Sequence, residues 1–110
     1  MPTGETITEC PISTADGVKA ADVAWASVEC WNELGNRACF VRSPEICVEV
    51  LSPSNTKQEI QEKIALYFEA GAREVWVCGA IGAMTFHGAD ASRLSHSLLC
   101  PSFPARIEAK

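Results

Sequence analysis

The sequence predicts an α/β fold in which a small mixed β-sheet carries one main crossover helix. Two apolar segments, residues 45–51 and 74–80, have the length and composition of buried strands. Between them, residues 56–71 have helical periodicity. The order strand, helix, strand favours parallel strands side by side, with the helix packed across one face of the sheet.

The chain before the first apolar segment is predicted in three parts. Residues 1–17 are rich in Pro, Gly, Thr and Ser, and are interpreted as an N-terminal arm that is irregular or forms a short edge strand. A single domain is expected over residues 18–110. Its first segment, 18–27, alternates as a strand does, with Val23 and Trp25 on one face and Asp22 among alanines on the other. Residues 28–43 are ambiguous, with a turn near Gly35.

The helix has clear sequence signals at both ends. Thr56 followed by Glu59 is a capping box, and Gly71 is a suitable C-terminal stop. At about 100° per residue, an apolar arc faces the sheet, and Lys63 projects from one edge of it. The arc comprises Ile60, Ile64, Tyr67 and Phe68, extended by Leu66 and Ala70.

The elements after the helix complete the predicted sheet. Residues 74–80 form the second buried strand, and residues 83–88 are expected to pair with it across a turn near Gly82. Residues 103–108 are a candidate for a last short strand.

Composition and charge narrow the function classes. The net charge is −5 without a Lys/Arg cluster, which disfavours a protein that binds DNA non-specifically through many phosphates. The six cysteines lack zinc-site spacing, so zinc bound by His87, His96 and cysteines is disfavoured, and most are expected to be reduced packing residues. Neither a membrane span nor a secretion signal is recognised, and a cytoplasmic location is expected.

Three charged residues lie where apolar ones are expected. Glu49 interrupts a buried strand, Asp22 shares a face with small alanines, and Lys63 lies at the packed side of the helix. Each has an ordinary explanation: an open edge or a bond to the next loop for Glu49, a turn cap for Asp22, and an extended side chain reaching water for Lys63. The alternative is one shared site. Two carboxylates suit Mg²⁺, and an ammonium stabilises charge in phosphodiester cleavage.

The stretch "PEICVEVLSPSNTKQEIQEKIALYFEAGAREVWVCGA" resembles the central block of the Uma-two family, and "KAADVAWAS" and "LCPSFPARIE" resemble segments on either side. That family belongs to the PD-(D/E)XK, restriction-endonuclease-like superfamily. The resemblance implies a restriction-endonuclease-like fold and a nuclease that uses Mg²⁺ (or Mn²⁺) on a DNA substrate. It also implies that Asp22 and Glu49 are metal ligands. Because Leu51 occupies the superfamily's usual lysine position, the resemblance assigns the catalytic lysine to Lys63 on the helix.

The chain departs from the family pattern before Asp22. Ala21 replaces the usual proline, and only 21 residues precede the aspartate, where typical members have a longer portion. An N-terminally shortened chain is expected to leave apolar surface and a strand edge uncovered, which favours a homo-oligomer, most simply a homodimer. The alternative function is a catalytically inactive relative that acts as an oligomeric binding or assembly module.

Overall fold

A mixed β-sheet organises the computed structural model, which describes residues 3–89 and 92–107. Within these residues six strands lie in the spatial order β1 to β6, and two helices accompany them. In chain order the elements are β1 (Gly4–Thr14), β2 (Gly17–Ser27), α1 (Val28–Leu34), β3 (Ile46–Val50), α2 (Lys57–Glu69), β4 (Glu74–Cys78), β5 (Met84–His87) and β6 (Arg93–Leu94).

The connection from β3 through α2 to β4 is the crossover that the sequence predicts. β3 and β4 are parallel, and the other neighbouring strands of the described sheet are antiparallel. A parallel pair needs a long connection, and α2 supplies it. This arrangement confirms the predicted α/β sheet with one main crossover helix, including the predicted pairing of β4 with β5.

Helix α2 begins and ends where its sequence signals place it. The Thr56 side chain accepts a hydrogen bond from the backbone N–H of Glu59 at 3.1 Å, which satisfies one of the free donors of the first turn. Gly71 has φ +113°, a conformation that glycine adopts without steric penalty. Ile60, Ile64 and Tyr67 are buried against the sheet, so the predicted inward face is confirmed.

The two faces of the sheet carry separate clusters of apolar side chains. On the helix side, Ile60, Ile64 and Tyr67 pack with strand residues such as Cys47 and Val75. On the other side, Trp76 contacts Phe86 and Phe103, with ring centroids 5.3 and 4.6 Å apart. The segment that carries Phe103 therefore covers part of the second face, and burial on both sides explains the apolar sequences of β3 and β4.

Residues 4–14 form a long edge strand, so an irregular arm is the wrong interpretation and a short edge strand underestimates its length. β1 pairs with β2 in one antiparallel register from Gly4–Ser27 to Thr14–Gly17. Gly17, with φ +81°, closes the tight turn between them. Residues 1 and 2 lie outside the described part of the chain.

The region after β2 and the C-terminal segment differ from simple strands. The ambiguous region begins with the short helix α1, whose first turn is capped because Cys30 N–H donates to the Ser27 hydroxyl. The candidate strand at 103–108 is reduced to a single antiparallel bridge between Ala83 and Arg106, and residue 108 lies outside the described residues. No helix within the described ranges has the length and apolar character needed to cross a membrane.

Candidate active site

Glu49 is the central residue of the candidate site. It is the penultimate residue of β3, and its exposed fraction is 3%. Val23 pairs with Val48 in the β2–β3 register, and its continuation places Asp22 opposite Glu49. Directly opposed residues on antiparallel strands have neighbouring side chains. The sheet therefore brings the two predicted acids together.

Helix α2 supplies two donors to the Glu49 carboxylate. Lys63 Nζ lies 2.9 Å from Glu49 Oε1, and the Tyr67 hydroxyl donates to Oε2 at 3.1 Å. Positions 63 and 67 are one helical turn apart, so both side chains reach the same point on the sheet. Burial and the nearby Glu49 charge raise the pKa of Tyr67 well above its usual range. Its hydroxyl thus remains a donor at neutral pH.

Asp22 is linked to the site through backbone groups. Its own N–H donates to Glu49 Oε2 at 3.3 Å, and its Oδ2 accepts from Val50 N–H at 2.7 Å. The residue is exposed to solvent, contrary to the close-packed surroundings expected from the alanines of β2. Asp22 therefore marks the open side of the site, and Glu49 marks its buried side.

The surroundings of the three charged residues differ from the ordinary explanations for each of them. Glu49 does not face an open edge, because its carboxylate is buried and accepts three hydrogen bonds. Asp22 does not cap a turn, because its carboxylate bonds a neighbouring strand. Lys63 keeps 35% of its side chain exposed, but its ammonium is paired with Glu49 and does not simply extend into water.

The donor set is compatible with a hard divalent cation. Asp22 and Glu49 present carboxylate oxygens, and Mg²⁺ commonly uses one or two carboxylates together with water and substrate phosphate. Across residues 3–89 and 92–107, no cluster of three or more His, Cys, Asp or Glu side chains is arranged to hold a metal ion. The two carboxylates would leave most of the coordination shell of a Mg²⁺ ion to water and substrate.

Two further residues, Tyr67 and Glu9, are a weak candidate and no candidate, respectively, in the sequence prediction of the site. The resemblance makes Tyr67, like Gln61, a plausible neighbour of the site but a weaker candidate, and the structure places the Tyr67 hydroxyl 3.1 Å from Glu49 Oε2. Glu9 lies between the pairs Thr8–Val23 and Cys10–Ala21 of the β1–β2 register and has φ +47°, the left-handed region that non-glycine residues rarely adopt. The sequence does not single out Glu9, because residues 4–14 are not recognised in it as a long strand.

A family model matches residues 3–95 of the chain, and its description is "Uma2: Putative restriction endonuclease". The match spans most of the sequence, including both acids and the lysine of the candidate site. The chain belongs to the Uma2 family. Family membership confirms the resemblance seen in the sequence, and it extends that resemblance to β1. None of the curated proteins compared with the chain matches it.

A solved structure has the same fold as this Uma2 chain. It is described as a "putative nuclease belonging to DUF820 from Anabaena variabilis ATCC 29413", and it matches with a TM-score of 0.71 at 14% sequence identity. The match covers 83% of this chain and 53% of that one, so this chain spans about half the length of that protein. The likeness confirms the predicted α/β fold with its small mixed sheet.

Proposed function

We propose that this Uma2 chain is a metal-dependent nuclease that cleaves phosphodiester bonds in DNA, with Mg²⁺ or Mn²⁺ as its cofactor. The observation that carries the proposal is the buried Glu49 carboxylate, which accepts a 2.9 Å bond from Lys63 and lies beside Asp22. A buried ion pair is costly to maintain, and an ammonium beside an open surface can stabilise negative charge that develops there. The family description supports the same reaction class.

Asp22 and Glu49 are the proposed ligands of the cation. When bound, a divalent ion polarises the phosphodiester and lowers the pKa of an attacking water. Two carboxylates against one ammonium leave the site with a net negative charge, which repels a phosphate. This local charge balance is the reason to expect that binding and cleavage of a nucleic acid require a cation.

Lys63 has the geometry of a group that can serve both Glu49 and a substrate. Its ammonium is anchored on Glu49 Oε1, and about a third of its side chain faces solvent. An ammonium at that position can donate to a phosphate oxygen and stabilise the negative charge that develops during cleavage. Asp22, on the same open side, is accessible to an approaching phosphate.

Cleavage of supercoiled plasmid DNA tests the proposal. The wild-type protein should convert it to nicked or linear forms with Mg²⁺ or Mn²⁺, and EDTA should stop the reaction. Glu49→Gln and Lys63→Met should each be inactive. The matched controls Glu62→Gln and Lys57→Met alter exposed residues of the same helix and should remain active.

A wild-type protein that cleaves neither DNA nor RNA with any divalent ion would contradict the proposal. A folded, self-associating and inactive protein would instead favour the binding or assembly module. Cleavage of RNA alone would retain the site chemistry but change the substrate.

A homodimer is also part of the proposal, supported by the sheet face opposite α2. An apolar depression of about 280 Å³ opens on this face, lined in part by Trp25, Val48 and Trp76. Val50 and Ile107 lie on the same face and are 49% and 42% exposed. Apolar patches of this kind favour association. A cytoplasmic location is proposed as well, supported by six unpaired cysteines.

Sedimentation equilibrium tests the dimer. The wild-type chain should sediment as a dimer at micromolar concentration, and Ile107→Glu should shift it toward the monomer. Val18→Glu, at a more exposed apolar residue beside the β1–β2 turn, is the control and should not change the mass. A monomeric wild-type protein would contradict this part of the proposal.

A further inference from the structure

The two carboxylate oxygens of Glu49 have different surroundings. Oε1 accepts from Lys63 Nζ, whose side chain is partly exposed. Oε2 accepts from the Tyr67 hydroxyl and from Asp22 N–H. Tyr67 is fully buried, so its hydroxyl has no water to bind in place of the Glu49 carboxylate. Oε2 therefore has both of its acceptor positions occupied, whereas Oε1, with a single donor, keeps one acceptor position free.

The Tyr67 hydroxyl has a restricted choice of acceptor. An ionised carboxylate only accepts hydrogen bonds, so the phenol must be the donor in this contact. A buried hydroxyl without a hydrogen-bond partner is costly. Because Tyr67 lies on α2, keeping this bond fixes the orientation of the Glu49 side chain relative to the helix. Groups of this type orient metal ligands in other sites, and removing them weakens metal binding.

We infer that Tyr67 is a positioning residue that holds Glu49 Oε2 and leaves Oε1 as the single oxygen offered to the cation. The inference rests on the proposed metal-dependent function. Coordination through one oxygen suits Mg²⁺, which requires near-octahedral geometry, whereas Ca²⁺ accepts carboxylates through both oxygens. The Tyr67 hydroxyl thus favours the smaller ion.

Calorimetry with Mg²⁺ and Ca²⁺ tests this on the full chain. Tyr67→Phe should weaken Mg²⁺ binding about tenfold, the lower end of the effect usual for groups that support a metal ligand. Ca²⁺ binding should weaken less, so that the Mg²⁺/Ca²⁺ preference falls. Ile64→Val, one turn earlier on the buried face of α2, is the control: it loses packing but no donor to Glu49, and its preference should match the wild type.

The possible outcomes separate the inference from the proposed function. If the wild-type protein binds neither ion, the metal-dependent function fails and the inference fails with it. If the wild type binds Mg²⁺ and Tyr67→Phe has the same affinities, only the inference is overturned. An equal change of preference in Ile64→Val would also overturn it, because the effect would then come from packing.

A second measurement needs no substitution at Tyr67 and so does not depend on how that variant folds. The sequence contains one tyrosine, so ¹³C-labelled tyrosine gives a single ring signal. Titration with Mg²⁺ should shift the Cζ resonance with the affinity found by calorimetry, and Glu49→Gln should abolish the shift. A Cζ resonance that stays unchanged at saturating Mg²⁺ would overturn the inference.

Discussion

Replacing Lys63 by methionine removes the ammonium that pairs with Glu49 and keeps a long, flexible side chain. Glu49 would then remain buried with two hydrogen-bond donors, Tyr67 and the backbone N–H of Asp22. Its charge would no longer have a cationic partner. The folded state should therefore lose stability, and the size of the loss measures how strongly the pair is coupled.

The magnitude follows from the distance and the burial. Unit charges 2.9 Å apart attract by about 6 kcal/mol at an effective dielectric constant of about 20. This gross value is opposed by the desolvation of both groups, and water screens the partly exposed ammonium. Breaking a buried pair costs about 3–5 kcal/mol and an exposed one less than about 1 kcal/mol. We expect about 2 kcal/mol for this half-buried pair.

Urea unfolding followed by tryptophan fluorescence measures the change, and a double-mutant cycle isolates the pair. The cycle uses Lys63→Met, Glu49→Gln and the double variant, and the coupling free energy should be about 2 kcal/mol. Lys57→Met, at the exposed start of the same helix, should change stability by less than about 0.5 kcal/mol. A coupling energy near zero would refute the account of Lys63 as the partner of Glu49.

Three further predictions concern the fold around the site. Ile64→Ala should cost about 2–5 kcal/mol in urea melts because it leaves a cavity under α2, whereas the exposed Gln61→Ala should cost little; equal costs would show that the helix face is misassigned. Burial raises the pKa of Cys47 to about 12 and that of Cys10 to about 11, so iodoacetamide at pH 8 should leave both unmodified in the folded protein. Since these thiols keep their protons longer when folded, the free energy of unfolding should fall as pH rises above 9.0; constant stability up to pH 11 would contradict this.

The parts of the fold that the sequence predicts best have strong local signals. Helix α2 has a cap at Thr56, a stop at Gly71 and an apolar arc between them, and all three appear in the structure. Strands β3 and β4 are continuous apolar runs because both of their faces are covered. In these segments the local preference and the tertiary packing agree.

The N-terminal strand lacked such a signal. Most side chains of residues 4–9 are exposed, so apolar and polar residues do not alternate as they do in a half-buried strand. β1 is held by backbone pairing with β2. At most positions of β1 the paired residue of β2 is eleven or more residues away in the sequence. Pairing of this kind is a tertiary effect, and composition alone left an irregular arm and a short edge strand both open.

The three residues of the candidate site could be proposed from the sequence, but their exposure and hydrogen-bond partners could not. Helix periodicity placed Lys63 near the sheet, and strand alternation placed Glu49 on a covered face. The exposure of Asp22 and its bond to Val50 depend on the β2–β3 register, which no local pattern specifies. The hydrogen bond from Tyr67 to Glu49 Oε2 likewise depends on the distance between α2 and the sheet.

Crystals grown with Mn²⁺ provide the most direct test of the central claim, that Asp22 and Glu49 together hold a catalytic cation. An anomalous difference map locates manganese without reference to activity. A cation shared by the two acids should give one peak bonded to an oxygen of each carboxylate, with Lys63 beside it, and no such peak in Glu49→Gln crystals. A saturated wild-type crystal with no peak between Asp22 and Glu49 would contradict it.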